Sequence, residues 1–103
     1  MKIVKVTYTT RTEFSEQNQN NIKKVMLELD QLDLKGILYH VCISPDNKTF
    51  IHTAFFDNED AEKKLLLLPS FKSFQEQLKG SSPEIPPKQE LLNFVGSSPS
   101  VFK

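Results

Sequence analysis

The stretch from Gly36 to Asp57, GILYHVCISPDNKTFIHTAFFD, decides how the rest of the chain must fold. At its centre, Pro45-Asp46-Asn47-Lys48 is turn chemistry: proline presets φ, and Asp and Asn tolerate the left-handed region. The β-branched and aromatic segments on either side, Ile37 to Ser44 and Thr49 to Asp57, read as the two strands of a hairpin. If Ser44 faces Thr49 across the turn, one face of the hairpin holds Ile37, Tyr39, Val41 and Ile43 with Phe50, His52, Ala54 and Phe56. The other holds Leu38, His40, Cys42 and Ser44 with Thr49, Ile51, Thr53 and Phe55. A half-solvated antiparallel sheet alternates cleanly between apolar and polar. Here both faces are substantially apolar.

Upstream, Ile3 to Thr10 (IVKVTYTT) is β-branched and aromatic and reads as a first strand. Ser15 is placed to cap a helix running from about Glu16 to Leu32, whose apolar stripe is Ile22, Val25, Met26, Leu29 and Leu32. The helix stops before Gly36. Downstream, Asn58 is the next cap, with Glu59 and Asp60 where the helix dipole favours negative charge. That helix runs to about Leu66 and is interrupted at Pro69, which pushes Leu68 out of the α region. Ser70 restarts a turn in which Phe71, Phe74 and Leu78 share one face, and Gly80 closes it. Ser81 to Lys88, with Pro83, Pro86 and Pro87, reads as an extended loop, and Gln89 to Val95 as a last strand. The order β-α-β-β-α-β is the split βαβ arrangement. It predicts one α+β, ferredoxin-like domain over residues 1–96 with an antiparallel sheet and a flexible C-terminal tail over 97–103.

Two amphipathic helices cover only one face of that sheet. The other leaves an apolar patch around Leu38, Cys42, Ile51 and Phe55 that needs a cover. A second copy of the chain, packed sheet to sheet, is the simplest one, since most oligomers are symmetric dimers. Leu38, His40, Ile51 and Phe55 are the expected interface. A chain of 103 residues also has a thin core that oligomerisation enlarges.

Composition narrows the function classes. Thirteen basic residues balance thirteen acidic ones, without a basic stripe for nucleic acid or a basic face for a membrane. The longest apolar run, Leu65 to Leu68, is far short of the roughly 20 residues that span a bilayer. The first residues lead into threonines rather than the apolar core of a signal peptide. The lone Cys42 has no internal disulfide partner and no Cys/His cluster has zinc spacing, so a cytoplasmic protein without a metal is expected. No GxSxG elbow, P-loop or GxGxxG fingerprint occurs among only three glycines. Hydrolase, kinase and dinucleotide-dependent chemistry therefore lack support.

The strand order, Gly36 opening the second strand, and FFDNEDAEKKLLLLPSFKSF (Phe55 to Phe74) carry a resemblance. An aromatic closing the third strand (Phe56), acidic residues and an alanine opening a helix (Asp57, Glu59, Ala61), and Pro69-Ser70-Phe71 resemble the dimeric α/β-barrel proteins of the antibiotic-biosynthesis-monooxygenase-like family. The likeness extends over roughly Met1 to Val95. It implies a homodimer, a small aromatic or apolar ligand between helices and sheet, and cofactor-independent oxidation. It equally accommodates a non-catalytic barrel whose pocket is filled by its own side chains, or an isomerase or lyase, since a fold does not choose a chemistry. Haem-degrading members use an asparagine on strand one, a tryptophan ending strand three and a histidine in the second helical region. The matching positions here are Thr7, Phe56 and Gln75, and the chain has no tryptophan, which argues against haem degradation.

His52 is the candidate catalytic residue: an imidazole on the helix-facing side could serve as a base near neutral pH. A core histidine that merely satisfies its hydrogen bonds is the plainer alternative. Thr7, Phe56, Phe71 and Gln75 are the expected pocket residues. Tyr8 and Tyr39 offer further hydroxyls, although strand hydroxyls more often satisfy local hydrogen bonds. Phe71 and Phe74, at helical spacing, suit a core better than a substrate cage. Cys42 is expected to be buried and inert.

Overall fold

The computed structural model describes residues 1–98. The strands are β1 (Lys2–Thr9), β2 (Ile37–Ile43), β3 (Thr49–Phe56) and β4 (Ile85–Leu92). The helices are α1 (Ser15–Leu32), α2 (Glu59–Leu66) and α3 (Pro69–Gly80), and a 3-10 turn at Thr12–Phe14 leads into α1. The sheet is antiparallel with order β2-β3-β1-β4, the ferredoxin-like arrangement read from the sequence. β2 and β3 pair in the expected register, from Ile37 opposite Phe56 to Ile43 opposite Phe50.

The turn that sets this register is built locally. Asp46 Oδ1 accepts from the backbone N–H of Lys48 and of Thr49, each at 2.9 Å, while Asn47 takes φ 61°. At the far end, the Gly36 carbonyl accepts from the Asp57 N–H at 2.9 Å. Gly36 has φ 79°, and a Cβ there would stand 3.3 Å from the Asp57 side chain. Only glycine meets both demands without strain.

Asn58 caps α2 as expected, its Oδ1 accepting from Ala61 N–H at 2.9 Å. Leu68 is extended and Pro69 is the first residue of α3, where its missing N–H costs nothing. Within the leucine run, Leu65 and Leu68 are buried while Leu66 and Leu67 are exposed. α1 and α3 are clasped by polar pairs. Glu28 accepts from both the N–H and the hydroxyl of Ser70, so a side chain of α1 caps α3, and Asn21 donates to Gln77 at 3.0 Å. The core lies between the helices and the face of the sheet carrying Tyr8, Phe50, Ala54 and Phe56.

Several expectations need correction. Ser15 is not a cap: the 3-10 turn places it inside α1, and its hydroxyl donates to the Asn47 carbonyl, tying the helix to the hairpin turn. The last strand begins earlier than expected, at Ile85, and ends at Leu92. Pro86 and Pro87 fit within it because β4 is an edge strand paired only with β1, and a proline there need not donate to a ladder. Cys42 is exposed, because it lies on the face that no helix covers. The expected tail over 97–103 lies, from residue 99 onward, outside the described residues. Among the described residues no helix is long and apolar enough to cross a membrane, and no cluster of His, Cys, Asp or Glu could hold a metal ion.

Candidate functional site

The site begins with strand alternation. On β1, Val4, Val6 and Tyr8 face the helices, and Lys5, Thr7 and Thr9 face away. β3 carries His52 and Ala54 inward, β2 carries Tyr39 inward, and β3 runs between β1 and β2. Val6 lies directly opposite His52 on one side and Val41 on the other. Tyr8, opposite Phe50, and Tyr39, opposite Ala54, are therefore diagonal neighbours of His52 on its two flanking strands. Diagonal neighbours are within reach of aromatic side chains.

The outcome is a buried polar cluster in an aromatic setting. Tyr8 Oη lies 2.7 Å from His52 Nε2, and Tyr39 Oη lies 2.6 Å from His52 Nδ1. Asn18, wholly buried in the first turns of α1, donates from Nδ2 to Tyr8 Oη at 2.8 Å. Its own Oδ1 has no hydrogen-bond partner among the described residues. Tyr8 stacks on Phe50 at 5.4 Å between ring centroids, and His52 packs against Phe74 at the same separation. Phe71 meets Tyr39 edge-on at 6.4 Å. Contacts of this kind contribute about 0.5–1.5 kcal/mol each beyond the area they bury.

Burial pushes the phenols of Tyr8 and Tyr39 well above the ordinary tyrosine range. For Tyr8 the Asn18 hydrogen bond opposes this; for Tyr39 the neighbouring Tyr8 adds to it. The same burial lowers the His52 pKa to about 4. At neutral pH all three groups are uncharged. His52 also has both ring nitrogens engaged by tyrosines, so it is not the free base poised near pH 7 that its sequence position suggests. It is a neutral link between two hydroxyls.

This cluster borders a cavity of about 490 Å³ between sheet and helices. Val4, Val6 and Ala54 form its floor; Leu65, Phe71 and Phe74 form its roof. Gln75, Lys79 and Gln89 are polar lining residues, and Pro83, Pro86 and Pro87 also border it. The volume lies in the range of small-molecule sites. Of the residues singled out from the sequence, His52, Phe56, Phe71 and Gln75 all border this space. Thr7 does not: it pairs with Ile51 and points to the opposite face. The alternation Val4-Lys5-Val6-Thr7-Tyr8 was the available signal, and it favours Tyr8. Asn18 carried no signal, because an asparagine amid GluGlnAsnGlnAsnAsn reads as the solvated side of a helix.

Leu38, His40, Ile51 and Phe55 lie on the sheet face turned away from the helices. In the single chain Leu38, Ile51 and Phe55 are partly buried and His40 is exposed.

No protein-family model matches the sequence, and no curated protein matches it either. Solved structures do. A provisionally named antibiotic biosynthesis monooxygenase from Deinococcus radiodurans superposes with a TM-score of 0.74 at 20% identity, covering 95% of this chain and 96% of that one. Rv0793 from Mycobacterium tuberculosis gives 0.77 at 11% identity, covering 94% and 97%. A variant of SnoaB, a cofactor-independent oxygenase from Streptomyces nogalater, gives 0.68 at 13% identity, covering 95% and 97%. At these identities the likeness is one of fold: over nearly its whole length the chain has the ferredoxin-like fold of the antibiotic biosynthesis monooxygenase structures.

Proposed function

We propose that the cavity between sheet and helices binds a small, flat aromatic molecule and that the protein oxidises it with molecular oxygen, using no cofactor. The observation that carries this reading is the open space itself. Phe56, Phe71 and Phe74 line a cavity of about 490 Å³ rather than closing it, and the uncharged cluster Tyr8–His52–Tyr39 borders it. A core filled by its own side chains would leave no such volume. The fold it shares with SnoaB, a cofactor-independent oxygenase, supports the same direction.

In such a reaction a ring CH₂ and O₂ give a ring C=O and water, so the substrate supplies the electrons. The protein's part is to exclude water, hold the ring and favour the charge that develops on a ring oxygen. The aliphatic and phenyl walls do the first two; hydroxyls and amide N–H groups do the third. Oxygen uptake with an anthrone tests this: one O₂ consumed per anthrone, with the quinone as product, is expected. Ala54→Leu, which places a larger side chain on the cavity floor, should weaken substrate binding at least tenfold while the protein stays folded. Absence of oxygen uptake in the wild type defeats the oxygenase reading.

The same reading takes the protein as a cytoplasmic homodimer joined through the open sheet face, with Leu38, His40, Ile51 and Phe55 at the interface. What supports the dimer is that Leu38, Ile51 and Phe55 on this face remain only partly buried in the single chain. Sedimentation velocity at micromolar concentration should give twice the chain mass, and Ile51→Glu should give the monomer. A wild-type monomer overturns the assembly.

A further inference from the structure

The buried cluster has a direction, and the direction says what kind of oxygen the cavity accepts. Three contacts link four side chains in series: Asn18 to Tyr8 at 2.8 Å, Tyr8 to His52 Nε2 at 2.7 Å, and His52 Nδ1 to Tyr39 at 2.6 Å. A neutral imidazole has one N–H and one bare nitrogen, so one tyrosine must donate to it and the other must accept from it. Two donating tyrosines would demand an imidazolate. Two accepting ones would demand an imidazolium, which a buried His52 with a pKa of about 4 does not form at neutral pH.

Asn18 breaks the tie. Its amide N–H donates to Tyr8 Oη, and its carbonyl oxygen is left without a partner among the described residues. Turning the amide over would let the carbonyl accept from Tyr8 but would move the amide nitrogen to the place where Oδ1 now lies buried without a hydrogen-bond partner among the described residues. A stranded N–H is rarer in proteins than an under-used carbonyl. With Asn18 as donor, the Tyr8 hydrogen has His52 Nε2 as its acceptor, 2.7 Å away. His52 then carries its hydrogen on Nδ1 and gives it to Tyr39 Oη. The hydrogen of Tyr39 is left over. Among the described residues the Tyr39 hydroxyl hydrogen-bonds to His52 alone, and Tyr39 lines the cavity.

We infer that the series Asn18→Tyr8→His52→Tyr39 runs one way, locks His52 as its Nδ1–H form, and makes Tyr39 a hydrogen-bond donor to a ketone or phenolate oxygen of the bound ring. This rests on the cavity being a ligand site, and it makes that reading narrower. Tyr39 would touch the ligand. Tyr8, His52 and Asn18 are positioning residues that fix which way its hydroxyl points. A substrate whose oxygen becomes more negative during oxidation is held more tightly by such a donor as the charge grows.

Two measurements test the inference on the intact protein. Nitrogen-15 NMR of His52 reads the form of the ring directly: a protonated Nδ1 and a bare Nε2 are expected, and a protonated Nε2 or a mixture of the two overturns the direction. Binding of 9-fluorenone against fluorene, alike in shape but differing by the carbonyl, reads the donor. The wild type should prefer the ketone about fivefold, as one hydrogen bond allows. Tyr39→Phe should bind the two equally; a preference for the ketone that survives in Tyr39→Phe overturns the assignment of the donor. If neither compound binds the wild type, the ligand class falls together with the proposed cavity function, while the NMR result alone still upholds or refutes the direction of the series.

Discussion

Phe50 and Ile51 are consecutive residues of β3, and they stand on opposite faces of one sheet. Phe50 is 1% exposed, stacked on Tyr8 beneath the helices; Ile51 is only partly buried on the side the helices do not reach. The two histidines of the hairpin divide in the same way, His52 enclosed and His40 exposed. The covered face can therefore carry polar groups that satisfy one another and lose their charge. The open face has neither that enclosure nor a clean polar surface, and this is why a partner is proposed for it. Shielding from water, more than residue type, separates a site from a surface.

The packing of the covered face depends most on Phe50. Phe50→Ala should cost about 3–5 kcal/mol, the usual toll of truncating a buried aromatic, in denaturant unfolding monitored by circular dichroism. A cost under 1 kcal/mol would mean the face is not packed as described. The next effect is in acid. A histidine held at about 4 in the folded protein but near 6.5 when unfolded is protonated first in the unfolded chain. Stability is thus full above pH 6.5 and falls as the pH drops from there to 4, by about 3 kcal/mol in total. Unfolding measured across this window should show the slope in the wild type and lose it in His52→Gln. Asp46, whose carboxyl is held below its usual value chiefly by the Thr49 hydroxyl, adds its own loss only at lower pH.

Smaller effects sharpen the contrast. Tyr39→Phe leaves His52 Nδ1 without its partner and should cost about 1–3 kcal/mol, the penalty for stranding a buried polar group. On the other face, Ile51→Ala should cost about 1–2 kcal/mol, less than a fully buried isoleucine. A dimer adds a further signature: the Ile51→Ala deficit should change with protein concentration, whereas the Phe50→Ala deficit should not. Thermal melts over a hundredfold range of concentration distinguish them.

Much of this was readable because the signals are local. The hairpin register follows from a turn whose Asp46 pairs with residues two and three positions on, and from side chains alternating with period two. Asn58 and Pro69 mark helix boundaries through bonds to, or angles at, adjacent residues. The misses share the opposite property. Ser15 looks like a cap until the hairpin turn arrives to take its hydroxyl. Pro86 and Pro87 look like a loop until β4 proves to be an edge. Thr7 matches a family pattern by position along the chain, but alternation on β1 turns it away from the cavity and Tyr8 toward it.

By itself the chain specified the element order, the hairpin and its two apolar faces, because turn chemistry and side-chain periodicity act over a few residues. The tertiary structure alone decided that Asn18, Tyr8, His52 and Tyr39, drawn from one helix and three strands, meet in a single buried series. It also decided that His52 sits there uncharged. Both are consequences of desolvation and strand neighbourhood, which exist only once distant segments have packed together.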